Sequence, residues 1–361
     1  MENKELKSLV DKLEVNQSLA IEEYVALIDG YNSSIAQYAA EKAMQKKEQF
    51  YGNKVYIRGL IEISNICKND CYYYGIRKSN ASCEQYRLTK EEIMNCCEQG
   101  YELGFRTFVL QGGEDGYFSD TVMCDIVSSI HEKYQDCAIT LSLGERSKES
   151  YKRLLLAGAS RYLLRHETAE KEHYDKLHPT NMSFENRMQC LQELKDIGYQ
   201  TGCGFMVGSP YQTSEILAKD LKFIENFKPQ MCGIGPFIPH MDTMYKEKKA
   251  GSVELTCYLL SLIRLIHPGI LLPATTALGT LDEKGREKGI LAGANVVMPN
   301  LSPVSVRNKY QLYDNKANLG AEAAEGLEEL KNRMKAISHE VVCDRGDFKK
   351  EKPKIKTTVF E

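Results

Sequence analysis

Eight short apolar runs, rich in β-branched residues, alternate with longer helical runs between residues 55 and 300. They are "VYIRGLIEIS" (55–64), "TFVLQGG" (107–113), "AITLSLG" (138–144), "SRYLLRHE" (160–167), "TGCGFMVG" (201–208), "CGIGPFIP" (232–239), "LLPATTA" (271–277) and "NVVMPN" (295–300). Near-continuous apolar strands mark a parallel sheet covered on both faces. A helix returns the chain between each pair, and such crossovers are right-handed, so eight units close into a ring. The pattern therefore predicts an α/β protein with a complete (β/α)8 TIM barrel. Residues 1–50 read as an N-terminal helical extension, 51–315 as the barrel, and 316–361 as a charged helical tail that closes it. Thr89 with Glu92, and Thr280 with Glu283, have the spacing of capping boxes that start helices.

In such barrels the chemistry gathers at the carboxyl ends of the strands. Here those ends read, in order, "NICKNDCYYYG", "QGGED", "SLGE", "LRHET", "MVGSP", "GPFIPHMD", "ATTALG" and "MPNLSP". Every one carries polar groups, glycine or sulfur, whereas the strand bodies are apolar. Arg165, His166 and Glu167 end an apolar strand that points inward. Charges placed there are costly unless paired or bound to something. The plain alternative is an ion pair plugging the barrel mouth. Gly112, Gly113 and Glu114 alone make no more than a tight turn, and adjacent threonines such as Thr275 and Thr276 are ordinary in strands. The signal is their joint placement. A metal-hydrolase barrel using His166, His173, His178 or His240 is a competing reading, but only His166 sits at a strand end.

A net charge of -3 gives no basic field for nucleic acid or anionic lipid. No apolar run approaches the ~18 residues of a membrane span, and the charged start "MENKELKSLVDKLE" does not read as a signal peptide. The 12 cysteines lie mostly inside apolar runs, which suits small buried side chains in a reducing, cytoplasmic setting.

The loop "NICKNDCYYYGIR", the "GGE" after the second strand and "GFMVGSP" at the fifth together resemble the radical S-adenosylmethionine (SAM) superfamily. "RYLLRHET", "HPTNMSFENR", "GIGPFIPH", "PATTALGT", "ANVVMPNLSP" and "YQLY" resemble, within it, the HydE-type maturases of [FeFe]-hydrogenase, a family near biotin synthase and methylornithine synthase. The likeness runs from about residue 50 to about 315. It implies a [4Fe-4S] cluster, with Cys67 and Cys71 as two of its ligands. It implies SAM held by Tyr73, Gly112, Gly113, Glu114, Glu167, Arg187 and Met231, with Met231 on the adenine side and Arg187 as a bidentate fork for the methionyl carboxylate. It further implies a substrate cavity built from Arg165, Thr275, Thr276, Met298, Tyr310 and Tyr313. The implied reaction is reductive cleavage of SAM to a 5′-deoxyadenosyl radical that acts on a small amino-acid-like or iron-cysteine substrate in H-cluster assembly. The implied partners are that small molecule and other hydrogenase maturases. Biotin synthase-like and methylornithine synthase-like chemistry are the alternatives within the superfamily.

Two departures from the pattern stand out. The stretch "YDNKANLGAEAAEGLEEL" (313–330) lacks the cysteines that hold a second cluster in many such maturases, so no second cluster is expected. Tyr74 stands at the third ligand position of the first cluster. A phenol has a pKa of ~10, a hard oxygen and far more bulk than a thiol. Four readings follow: a residue introduced into an otherwise active sequence, a catalytically silent paralog that binds SAM or substrate without a full cluster, rescue by Cys83, and ligation by Tyr74 itself.

Overall fold

Seven of the eight apolar runs contain a strand; the seventh, 271–277, has only bridges at Leu271 and Pro273, and its last residues open helix Thr276–Leu281. The computed structural model describes residues 2–317 and 320–350. Gly59–Ser64, Thr107–Gly112, Ala138–Ser142, Ala159–Leu163, Gln200–Cys203 and Met231–Cys232 make one parallel sheet, ordered along the chain. Single parallel bridges continue it: Met231 to Leu271, Pro273 to Val296, and Asn300 back to Leu60 of the first strand. The Cys232 amide donates to the Leu271 carbonyl (3.1 Å), and the Leu301 amide to the Leu60 carbonyl (2.7 Å). Helices cover the outside, so both faces of the strands are dry and their apolar runs are buried.

The first expected strand is broken at Arg58. Its upper half, Gly59–Ser64, joins the barrel ladder, while Lys54–Ile57 pairs with Val296–Val297 on one side and Glu340–Val342 on the other. The tail is therefore not simply helical. Helix Leu327–Ala336 is followed by a strand that fills the edge beside Lys54–Ile57, and a β-branched "EVV" suits that slot. Of the segment 316–361, residues 318–319 and 351–361 lie outside the described residues.

The N-terminal extension is three helices, Asn3–Asn16, Ile21–Asp29 and Ser33–Tyr51. Asn32 caps the third by accepting from the Ser34 and Ile35 amides. That helix lies on Val253–Ile266, and Ile21–Asp29 lies on Ser214–Phe227. Thr89 and Glu92 form the expected capping box. Thr280 does not cap. It lies inside helix Thr276–Leu281, where its hydroxyl donates to the Thr276 carbonyl (3.0 Å), and the next helix starts at Gly285. The same spacing arises inside a short helix followed by a turn, so it does not by itself mark a start. No helix among the described residues is long and apolar enough to cross a membrane.

The extension also carries a buried charge. Lys47 is fully buried and its Nζ finds no hydrogen-bond partner among the described residues. Burial, and then the nearby Arg264, lower its pKa to about 7. The unfolded chain holds that proton up to ~10.4. Between these values the unfolded state binds more protons, so stability rises with pH by up to about 1.4 kcal/mol per unit. Lys47→Met is expected to be more stable than the parent at pH 7 and to lose this slope. Urea unfolding of both proteins from pH 7 to 10 measures it, and parallel curves for the two would refute it.

Candidate active site

The polar strand ends converge on two adjoining cavities. The outer one has a volume of about 180 Å3. Cys67, Cys71, Glu114, Glu167, Arg187 and Tyr310 are among its walls. The turn after the second strand is pressed against the cysteine loop. The Gly113 amide donates to the Ser64 carbonyl (3.0 Å), and the Lys68 amide to the Glu114 carbonyl (3.0 Å). The Glu114 amide points at the Cys67 sulfur (3.4 Å). A Cβ on Gly113 would lie 2.2 Å from the Ile66 carbonyl oxygen, so only glycine fits. Glu114 then reaches across to accept from the Glu145 amide (3.0 Å) and pairs with Lys68 (3.0 Å). Burial raises the pKa of both thiols, and that of Cys71 reaches about 12 with the neighbouring Cys67 adding to the rise. Both are therefore protonated at neutral pH until a metal displaces the proton.

Opposite the loop, Glu167 takes a left-handed backbone (φ 65°) and its amide donates to the Gly204 carbonyl (2.9 Å). Its Oε2 lies 3.2 Å from Arg165 Nη2, yet neither atom has a well-aligned hydrogen bond among the described residues, and neither does Arg165 Nε. A buried ion pair with spare capacity on both partners is equipped for a polar ligand. Arg187 is more committed. Its Nε donates to Glu145 (2.6 Å) and its Nη1 to the Arg165 carbonyl (2.8 Å), so the expected free bidentate fork is already in use.

Tyr74 stands where the two cavities meet and lines both. Its hydroxyl donates to Glu167 Oε1 (3.4 Å), and its ring packs edge-on against Tyr73 at 4.3 Å. Burial first, and the Glu167 charge second, push the phenol far above its ordinary range, so it stays protonated. Tyr73 is tied to His178 Nε2 (2.9 Å).

The inner cavity brings together Arg165, Thr275, Thr276, Met298 and Tyr313. Tyr310 faces the outer cavity, within 3.4 Å of Gln111 Nε2. The threonine hydroxyls are engaged by the fold: Thr275 donates to the Ile234 carbonyl (3.3 Å) and Thr276 accepts from Arg286 (3.2 Å). Met231 is in neither cavity. It sits at the amino end of its strand in an apolar cluster with Tyr51, Tyr56, Leu271 and Val296, where its sulfur meets Arg58 (3.0 Å). The contact with the adenine expected of it is not among those the two cavities offer.

The histidines do not converge. His166 turns away from the cavities to Asp220 (3.2 Å), and burial lowers its pKa to about 3. His173 binds Thr168 and the Pro210 carbonyl, and His240 lines a different cavity. Among the described residues, no group of three or more His, Cys, Asp or Glu is placed to hold a metal ion. The hydrolase reading has no donor set.

The model of the Radical SAM superfamily matches residues 61–224. The "[FeFe] hydrogenase maturase subunit HydE" of Thermotoga maritima is 43% identical over 313 residues, covering 86% of this chain and 88% of that one. This chain belongs to the HydE family of radical SAM proteins. The crystal structure of methylornithine synthase superposes with a TM-score of 0.81 at 24% identity, covering 92% of this chain and 97% of that one. A crystal structure of HydG, "a maturase of the [FeFe]-hydrogenase", gives 0.79 at 19% identity, covering 94% and 76%. These two likenesses concern the fold.

Membership of a radical SAM family implies SAM and a [4Fe-4S] cluster. For SAM the residues fit: carboxylates of Glu114 and Glu167 and the guanidinium of Arg165 offer both signs of charge to its zwitterionic end, with Arg165 and Glu167 holding unused polar atoms. For the cluster the HydE-family chain falls one thiolate short. Cys67 and Cys71 face the cavity, and the third position is the protonated phenol of Tyr74. Cys83 lines a separate cavity with His240 and Asp242, where Asn65 Nδ2 lies 3.4 Å from its sulfur. Three residues of the site went unremarked in the sequence: Glu145, Glu62 and Lys316. A carboxylate inside the apolar "GLIEIS" was the available sign for Glu62.

Proposed function

We propose that this HydE-family chain binds SAM in the outer cavity and a small amino-acid-like or iron-cysteine substrate in the inner one, and acts in assembly of the [FeFe]-hydrogenase H-cluster. The reaction class is reductive cleavage of SAM to a 5′-deoxyadenosyl radical that attacks that substrate. The observation that carries this reading is the junction of the two cavities at Arg165 and Tyr74, which gives two ligands a common wall. Glu114 and Glu167 face the methionyl amino group, and the barrel walls around the cavities limit the access of water to the reacting atoms. Arg165 serves both cavities and orients a substrate carboxylate. Other hydrogenase maturases are the proposed partners, in the cytoplasm, with neither nucleic acid nor a second cluster involved.

Tyr74 favours a second reading. With its phenol spent on Glu167 and only two thiols at the loop, the same cavities bind SAM or the substrate as a carrier without radical chemistry. Anaerobic reconstitution with iron and sulfide separates the two. Roughly four irons per chain, an electron paramagnetic resonance signal that changes on adding SAM, and 5′-deoxyadenosine formation support the enzyme. SAM affinity with no such signal supports the carrier.

A further inference from the structure

One wall of the inner cavity is built around a primary ammonium. Glu62 is fully buried in the strand Gly59–Ser64, and its carboxylate faces the cavity. Asn300 Nδ2 donates to one of its oxygens (2.9 Å). The other pairs closely with the ammonium of Lys316, whose side chain is 7% exposed. That same Nζ donates to the Tyr310 carbonyl (3.2 Å) and lies 4.8 Å from the centre of the Tyr310 ring. A carboxylate, a carbonyl and an aromatic face form a complete cage for an ammonium, which has three protons to give and binds ring faces.

We infer that Glu62 on the inner-cavity wall, with the carbonyl and ring of Tyr310 behind it on the outer-cavity side, forms an ammonium-recognition corner of the substrate cavity. Lys316 is its resident occupant, displaced by the primary ammonium of an amino-acid-like ligand. The inference rests on reading the inner cavity as the substrate's. Electrostatics gives the corner its selectivity. A fully buried carboxylate is not left without a cation, because an uncompensated buried charge costs several kcal/mol. Exchange of one ammonium for another keeps the charge balance. A ligand without an ammonium strands Glu62 if it expels Lys316. The exchange is mechanically easy, since Lys316 sits in an irregular segment and its long stem regains rotamer freedom in water. The corner therefore selects for a primary amine, and its counterpart in the cavity, Arg165, suits a carboxylate.

The test uses the full-length protein without cluster or SAM, so its result is independent of whether SAM is cleaved. The probes are L-norvaline and pentanoate, which differ by the amino group, titrated by saturation-transfer NMR. Lys316→Ala vacates the corner and is expected to bind norvaline at least about tenfold more tightly than pentanoate, as one charge-assisted hydrogen bond allows. Norvaline is expected to bind the parent more weakly than Lys316→Ala, because it must displace the lysine. Adding Glu62→Gln to Lys316→Ala is expected to erase the preference. Equal affinities of Lys316→Ala for the two probes, or a preference that survives Glu62→Gln, overturns the inference. Lys316→Gln serves as the second vacating variant. If the Glu62 variant does not fold, the paired probes on the two Lys316 variants decide alone.

Discussion

Tyr74→Cys is expected to raise bound iron after anaerobic reconstitution to roughly four atoms per chain, the content of one [4Fe-4S] cluster. The parent is expected to hold less than about half of that, because two thiolates do not anchor a cluster that keeps one iron open. The loop is otherwise ready for the change. Cys67 and Cys71 already face the outer cavity, and the Glu114 amide already points at the Cys67 sulfur. The substitution replaces a hard, protonated phenol with a thiol. It also releases Glu167 Oε1, which the phenol now engages. The released carboxylate is the group assigned to SAM, so tighter SAM binding should accompany the gain in iron. Iron and sulfide counts, electron paramagnetic resonance with and without SAM, and 5′-deoxyadenosine yield read these effects. A cysteine variant with no more iron than the parent would refute the assignment of this loop as a cluster site.

Gly113→Ala should be as damaging as Tyr74→Cys is restorative. The added methyl would sit 2.2 Å from the Ile66 carbonyl oxygen, 2.8 Å from its carbon and 2.9 Å from the Cys67 Cβ. These are mostly backbone atoms and have no rotamer to escape into. The turn and the cysteine loop must separate, which moves Glu114 away from the loop it now touches. Overpacking of this kind costs roughly 1–3 kcal/mol of stability, so the barrel stays folded, and the same energy taken from SAM binding lowers its affinity by roughly tenfold to a hundredfold. Gly116→Ala is the control, three residues on, where a Cβ meets nothing within 4 Å. Equilibrium dialysis with SAM and thermal unfolding of both variants measure the contrast. Parent-like SAM binding by Gly113→Ala would refute the view that this turn must touch the loop.

The strands were legible because burial on two faces leaves an unbroken apolar run, and the rim was legible because polar groups interrupt those runs at one end only. What escaped has physical reasons. Met231 opens its strand, whereas chemistry gathers at carboxyl ends, so its place among apolar neighbours follows from the direction of the strand. The strand Glu340–Val342 finds its partner at Lys54–Ile57, far away in sequence, and three residues carry too little periodicity to announce it. Glu62 was visible as a lone carboxylate in "GLIEIS", but its cation comes from Lys316, in a segment with no pattern of its own. The engagement of Arg187 by Glu145 depends on the first turn of helix Phe184–Ile197 meeting the end of strand Ala138–Ser142, which no local window contains.

The seams of the barrel are uneven, and that has a mechanical consequence. Neighbouring strands from Gly59–Ser64 to Ala159–Leu163 share ladders of three to five paired residues, whereas Leu271 and Pro273 are each held by one bridge and Asn300 by one to Leu60 and one to Ala323. Amide protons of the first half should therefore exchange with solvent more slowly than those around 271–273, as sparse ladders open locally. The stiff half coincides with the stretch matched by the superfamily at large, residues 61–224, and carries Cys67, Glu114 and Glu167. The compliant half carries Thr275, Met298 and Tyr313. With the cavities used as proposed, one side of the molecule would be a rigid jaw for a common reagent, and the other a softer one whose shape is free to diverge with the compound it must fit.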